Sequence, residues 1–542
     1  MWKRGRDVPK RQGFVYGALL LALAAIISKL LGSVYTIVLQ NVIGDHGMGL
    51  FQMAYPVYAT LLAVATAGFP VAISKLVSER IAFGDEYGVR QIFRVATVML
   101  GTLGIVACAV LYFWADSWAS IAGDPDAAWA IRAISPALLM VPVVSAIRGY
   151  FQGYQWMQPT AISQVVEQFV RVATIIGLAM WLTRAGFGRE FAAAGAAFGA
   201  VTGAAAALLL LAYYWVAKHP SVLTERRPHG TSARVLARQL LYYAFPISLG
   251  AMVVPLMNNV DVVTVVNLLK NAGASQGAAT TDFGLLAGRA FKLMMLPTTL
   301  ASGIGIAVMP AVSEAFTLGF RRLMSERIDT AIRLTVLIAL PASVGLAMLA
   351  VPVDIALFKD DAGARVIQIM ACATFFASVQ TTAAAILQGA GWVYLPVLNL
   401  ALASLAKLVG NLFLVPIYGI EGAAFSTVLS YAVATTLNFS GMYRCTGERI
   451  HWRSWVVKPA VAAFMMGAFV YAAASQWRIW GGLSWDRVGI AAASGIIIVI
   501  AVVIYAVALL LTGALTERDI AAVPRVGPRL AFWCRRLGWV RS

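Results

Sequence analysis

Apolar runs of about 20 residues recur almost from end to end of the chain, separated by short polar or basic stretches, and each is long enough to cross a ~30 Å hydrocarbon core as a helix. The pattern predicts spans at roughly 14–40, 50–74, 93–114, 129–151, 161–182, 191–217, 240–268, 284–312, 328–350, 366–388, 394–416, 420–442, 456–475 and 488–512. These fourteen transmembrane helices define an all-α polytopic membrane protein. The connections between spans are too short for a sizeable soluble domain.

Composition agrees with that solvent: 60% of the 542 residues are hydrophobic, 12% are charged, and the mean hydropathy is +0.79. The first span has a basic flank like a signal peptide, but it is about twice as long as a secretory apolar region and carries Lys29 inside it, so it is expected to stay as a helix. The net charge of +18 resolves into sidedness. Alternating the connections puts 27 Lys and Arg on one side and 7 on the other, which predicts a bacterial cytoplasmic membrane protein with both termini in the cytoplasm. Nucleic acid is therefore not an expected partner. The basic tail, with Trp533 and Trp539 among its arginines, reads as a segment lying on anionic membrane lipid.

An internal echo divides the chain. Gln152-Gly153-Tyr154-Gln155-Trp156 with Pro159 recurs 236 residues later as Gln388-Gly389-Ala390-Gly391-Trp392 with Pro396. A weaker echo relates Pro56, Pro70 and Ser74 to Pro297, Pro310 and Ser313. Both relate a helix to the one six further on, which predicts two six-helix lobes as parallel repeats around a central cavity, plus two C-terminal helices. The expected divisions are residues 1–217, a basic cytoplasmic linker at 218–239, residues 240–443, the last two helices in 444–512, and a basic cytoplasmic tail at 513–542.

Charges inside apolar spans are costly and are functional candidates by default. They are Lys29, Glu167, Arg171, Asp261, Arg289, Lys292 and Lys407. Glu167 and Arg171 stand at i, i+4 with the acid first, the favourable order for a structural pair. Asp261, beside Asn258 and Asn259, is the candidate ion-coupling residue. Lys29, Lys292 and Lys407 have no acid at i±3 or i±4, and the echo puts Lys407 in the place of Arg171. Such a basic set in a cavity attracts an anion; snorkelling to the headgroups is the plainer alternative for the lysines. Pro56, Pro136, Pro142, Pro246, Pro255, Pro297 and Pro341 are expected inside helices, as sites of bending.

Patterns for catalysis or cofactors are missing from the sequence. Neither a Walker-type loop nor an H-E-x-x-H motif occurs, so no ATP, metal or other cofactor and no enzymatic step is expected. Cys108, Cys372, Cys445 and Cys534 are far apart and read as packing residues, and His46, His219, His229 and His451 as solvated loop residues.

Three stretches carry a family resemblance: Ser28-Lys29-Leu30-Leu31-Gly32 through Gly44-Asp45; Gln52 through Lys75 with Ala67-Gly68-Phe69-Pro70; and Arg148-Gly149-Tyr150-Phe151-Gln152-Gly153 through Glu167-Gln168. They resemble the oligosaccharidyl-lipid flippases of the multidrug/oligosaccharidyl-lipid/polysaccharide exporter superfamily, in the Gram-positive branch of lipid II flippases and stage V sporulation protein B. The resemblance implies a cationic cavity that takes a pyrophosphate-sugar headgroup by alternating access while the polyprenyl tail stays in lipid. Lys29 matches the basic position of the family's S-[RK]-x-L-G motif, and Lys292, five residues before Pro297, matches a basic position of the eighth helix. Where better-known Gram-negative members continue the first motif with Arg-Asp, this chain has Tyr35-Thr36.

The expected function is translocation of an undecaprenyl-pyrophosphate-linked peptidoglycan precursor, with Lys29 and Lys292 on the diphosphate and Arg171, Lys407 and Arg289 completing the cavity's basic set. The alternatives are another polyprenyl-linked glycan or a sporulation-specific cell-wall role, a cation-coupled drug antiporter, and a non-transporting scaffold bound to cell-wall synthesis proteins.

Overall fold

In hydrocarbon no water is present to bond exposed backbone groups, so each crossing segment must satisfy its own N–H and C=O groups. The computed structural model describes residues 14–218, 232–447, 453–479 and 485–514, and these contain helices and no strand. The chain packs as two compact units that divide between Gly284 and Leu285.

The first unit contains α1 (Phe14–Thr66), α2 (Phe69–Ala82), α3 (Glu86–Phe113), α4 (Ala115–Ala122), α5 (Ala127–Ile134), α6 (Ala137–Gly153), α7 (Gln158–Arg184), α8 (Arg189–Lys218), α9 (Ala233–Asn271) and α10 (Gln276–Gly284). The second opens with a π-helical turn, Leu285–Ala290, that leads into α11 (Phe291–Thr317). It continues through α12 (Arg321–Met348), α13 (Ala350–Phe358), α14 (Ala364–Gly389), α15 (Tyr394–Thr446), a second π turn at Arg453–Val457, α16 (Lys458–Ile479) and α17 (Arg487–Leu511).

Twelve helical stretches among the described residues are long and apolar enough to cross a membrane. Two of them are double. α1 and α15 each run 53 residues, about 80 Å of helix and more than twice a hydrocarbon core. Each is broken by a glycine in a conformation other residues rarely adopt: Gly44 (φ 71°, ψ 177°) and Gly419 (φ 60°, ψ −141°). Counting both halves recovers the fourteen crossings expected from the hydropathy pattern.

The echo is a repeated backbone device. α6 and α14 end, and α7 and α15 begin, with the same 236-residue offset. The turns between them carry matching hydrogen bonds. Trp156 N donates to Phe151 O at 3.0 Å and Trp392 N to Leu387 O at 2.9 Å; Gln155 N donates to Gln152 O at 2.9 Å and Gly391 N to Gln388 O at 3.1 Å. The turn needs positive φ, which Gly391 adopts freely at 89° and Gln155 adopts at 58°. Packing and repeat are nevertheless different divisions of the chain, because the first unit holds the first repeat together with α9 and α10.

Two sequence expectations need correction. Pro136 is not inside a helix: it is the N-cap of α6, at the joint with α5, where its missing N–H costs nothing. His46 is not in a solvated loop but follows the Gly44 break inside α1, half-buried. His219, His229, His451, Cys534, Trp533 and Trp539 lie outside the described residues, as do the basic N-terminus and most of the linker and tail.

The core of the first unit is built on Phe69, Ile73, Val77, Ile92, Phe151 and Leu240, and that of the second on Val312, Ile328, Val379, Ile386, Leu387 and Trp455. A further cluster, including Met466, Val470, Ile497 and Tyr505, packs α16 and α17 together with Leu337 of α12. Large apolar side chains such as Phe169, Leu209, Phe413, Val499 and Val503 stay exposed, as suits a surface whose solvent is lipid.

Candidate functional site

α8 begins Arg-Glu-Phe and continues almost entirely in Ala and Gly up to Ala207. That small face lets α7 lie very close. A Cβ added at Gly203 would stand 2.8 Å from the Glu167 carbonyl oxygen and 2.9 Å from Arg171 Cβ; one at Gly199 would stand 2.9 Å from Arg171 O. The close approach fixes the turn of α7 that carries Glu167 and Arg171.

The expected pair is present, and it has a third member. Arg171 Nη2 donates to Glu167 Oε1 at 3.0 Å, and Arg148 Nη2, from α6, donates to Glu167 Oε2 at 2.9 Å. Arg148 Nε also donates to Ser163 Oγ at 3.1 Å. All three ionic side chains are 14–16% exposed. Two guanidiniums on one carboxylate leave the group at +1. Tyr35, Tyr55 and Tyr58 of α1 stand within electrostatic range of Arg171, whose buried Nε has no hydrogen-bond partner. The cluster is a cationic group beside three tyrosines, suited to an anion.

Lys407 occupies the equivalent place on α15 and is fully buried. It lies on the face where the two halves of α15 meet, between Ala403, whose carbonyl accepts from Ser430 Oγ at 2.7 Å, and Gly410, where a Cβ would stand 2.8 Å from Ser426 Oγ. Neutral amides line the same helix: Asn399 Nδ2 donates to Asn438 Oδ1 at 2.8 Å.

Arg289 is placed elsewhere. It lies in the π turn before α11, 2% exposed, donating to Asp354 Oδ1 at 3.1 Å and to Asp360 Oδ1 at 2.6 Å, with its guanidinium 5.0 Å from the Phe358 ring. Asp354 is wholly buried midway along α13 and also accepts from Gly363 N at 2.8 Å. Burial raises the Asp354 carboxyl to about 6, against the opposing pull of Arg289. At Asp360 burial acts in the same upward direction, but the Arg289 hydrogen bonds outweigh it and hold that carboxyl below its ordinary value. Lys292, one turn on, is half-buried on α11, and Asp261 is half-buried on α9 beside Asn259, which donates to Thr60 Oγ1 at 2.8 Å. Lys29 is on α1, and its side chain lies outside the described residues.

One polar hub escaped the sequence reading altogether. Asp124, fully buried just after α4, accepts from Thr280 Oγ1 at 2.6 Å and Gln276 Nε2 at 2.9 Å. Nearby, Lys270 Nζ donates to Gly123 O at 2.9 Å and Asn267 Nδ2 to Ile121 O at 2.7 Å. Where Gly49 and Gly284 stand, a Cβ would lie 2.2 Å from Thr280 O and 1.9 Å from Asp45 O, respectively. These contacts clasp the ends of α9 and α10 to α1 and α4 within the first unit. The only sequence signal was an acid in a short connection, which by itself does not identify a partner about 150 residues away. Among the described residues no three His, Cys, Asp or Glu side chains form a metal-binding group.

With fourteen crossings, a repeated turn and a cationic cluster in view, the known proteins divide clearly. The model of the polysaccharide biosynthesis protein family matches residues 14–316. The chain belongs to that family. It is 32% identical to the uncharacterized membrane protein YabM of Bacillus subtilis over 536 residues, covering 97% of this chain and 98% of the relative. It is 31% identical to the lipid II flippase MurJ of the same organism over 450 residues, 80% of this chain and 82% of that one. Its fold matches a solved structure of lipid II flippase MurJ in an inward closed conformation, with a TM-score of 0.63 and 12% identity, over 90% of this chain and 98% of the other. The polysaccharide biosynthesis family falls in the flippase branch of the exporter superfamily, so the chain is a multi-pass membrane transporter and not an enzyme.

Proposed function

We propose that the protein flips an undecaprenyl-pyrophosphate-linked peptidoglycan precursor across the bacterial cytoplasmic membrane by alternating access, with both termini in the cytoplasm. The observation that supports this reading is the pair of equivalent basic positions, Arg171 and Lys407, each largely buried and each held in its repeat by close helix packing. A buried positive field attracts a pyrophosphate and repels organic cations, which speaks against drug antiport. Lys29 and Lys292 contact the diphosphate in this scheme, Arg171 and Lys407 act through the field, and Asp261 is the candidate ion-coupling carboxylate. Arg289, taken up by two aspartates, serves to hold α11 to the end of α13.

The test is complementation in a bacterium whose own lipid II flippases can be shut off, scoring survival and the arrival of lipid II on the outer leaflet. Rescue by the wild type, with loss in Lys29→Ala and Lys292→Ala at equal membrane abundance, is the expected result. A well-inserted wild type that fails to rescue rejects lipid II and moves the assignment to another polyprenyl-linked glycan. Rescue by both lysine variants rejects the site.

A further inference from the structure

We propose that a crevice on the outer face of the first unit, between α3, α6 and α8, binds an anionic phospholipid: Arg90 and Arg94 hold its phosphate, and an acyl chain lies along Val98 and Trp215. The crevice encloses about 490 Å³. Its residues are ordered along α3 as the parts of a phospholipid are ordered across a leaflet. Arg90, Arg94 and Val98 follow at i, i+4, i+8 and form one exposed stripe, with the two guanidiniums in the first turns of the span and the apolar residue about 12 Å deeper.

The inner wall is aromatic. Phe93 stacks on Trp215 at 4.5 Å and meets Tyr150 edge-on at 5.1 Å, and Tyr150 stands 4.7 Å from Trp215. Trp and Tyr of this kind concentrate where headgroups give way to chains. Three features favour an anionic ligand over simple lipid contact. Among the described residues Arg94 forms no ion pair, and Arg90, 69% exposed, approaches Glu86 only to 3.7 Å. The hydroxyl of Thr97, which faces the crevice, is buried without a hydrogen-bond partner, although a mid-helix threonine ordinarily bonds the carbonyl four residues back. It is free to donate to a phosphate or ester oxygen. Two guanidiniums one helical turn apart, a hydroxyl without a partner and an apolar floor together match a phosphatidyl headgroup with its chain.

The test uses the full chain in detergent micelles, with phosphatidylglycerol and phosphatidylcholine of identical chains, followed by native mass spectrometry. Wild type is expected to retain phosphatidylglycerol at least tenfold more than phosphatidylcholine. The double variant Arg90→Gln with Arg94→Gln is expected to lose at least tenfold of that retention, while Arg322→Gln, an exposed arginine of the other unit, keeps it. Inorganic phosphate alone is expected to give no protection against thermal unfolding where phosphatidylglycerol does. Should the double variant fail to fold, brominated-chain phosphatidylglycerol is expected to quench wild-type fluorescence more than that of Trp215→Phe. Equal retention of the two lipids by wild type, undiminished retention in a folded double variant, equal protection by free phosphate, or identical quenching in wild type and Trp215→Phe each overturns the proposal.

Discussion

α7 and the first half of α15 begin 236 residues apart, follow the same turn, and put a basic residue fourteenth in line, yet they carry its charge differently. In α7 the charge is one of three: Arg148 and Arg171 share Glu167. The corresponding positions in the second repeat are Ala384, Ala403 and Lys407. The first set totals +1, by partial cancellation within an ionic network; the second keeps one basic side chain and no acid at the three equivalent positions. What is duplicated is thus the backbone device and the basic position, while the acid that shares the charge in the first repeat has no counterpart at the equivalent position of the second. A multicentre ionic network depends on each member, because removing one leaves another buried and uncompensated.

The largest expected effect follows from that contrast. Glu167→Ala should destabilise the protein by about 3–5 kcal/mol, because two guanidiniums lose their shared acceptor, while Lys407→Met, with alanines at the positions equivalent to Arg148 and Glu167, should cost less. Thermal unfolding in detergent measures both, and equal losses in the two variants would break the comparison.

Arg289, a deeply buried guanidinium of the second unit, sharpens it further, since it is compensated by Asp354 and Asp360, which lie outside the spans. In the folded protein the Asp354 carboxyl is raised from 3.8 to about 6, so the folded state keeps a proton that the unfolded chain has released between those values. That contribution to stability is present below about pH 4 and is lost as pH rises through about 6. Asp360, held below its ordinary value, acts in the opposite sense: its contribution is present above about pH 4 and disappears as pH falls. Asp354→Asn is therefore expected to gain on wild type as pH rises from about 4 to 7, by an amount of the order of 2–3 kcal/mol. A constant difference across unfolding curves in that range would refute the assignment.

A smaller contrast concerns how the two helices are seated. At Gly203 an added methyl meets a backbone carbonyl, which cannot move aside, so Gly203→Ala should cost about 1–3 kcal/mol. At Gly410 the nearest atom is the Ser426 hydroxyl, which can rotate, and Gly410→Ala should cost less. Denaturation of the two variants side by side gives the ranking, and the reverse order would mean that α7 is seated by something other than the small face of α8.

Much of this was legible in the chain. Lipid as solvent demands apolar runs of about 20 residues, which is why the crossings could be counted, and the two 53-residue helices divide at glycines that lie between predicted spans. The Gln-Gly echo marked a real backbone repeat because a tight turn with positive φ constrains its own residues. The Glu167–Arg171 pair could be read because helical neighbours at i, i+4 must meet. Arg148 joins the network from α6, 19 residues before Glu167 and across the turn, a placement with no local periodicity to announce it. The same holds for Asp124 with Thr280 and Gln276, and for Arg289 with Asp354 and Asp360.

The sequence by itself determined the solvent, the crossings, the repeat and the placement of the basic residues in matching helices, because each of these follows from short-range rules of length, polarity and turn geometry. Only the tertiary structure decided which charges are shared, which are buried and which serve packing, because the energy of a charge in a membrane protein depends on partners contributed by helices far away in the chain.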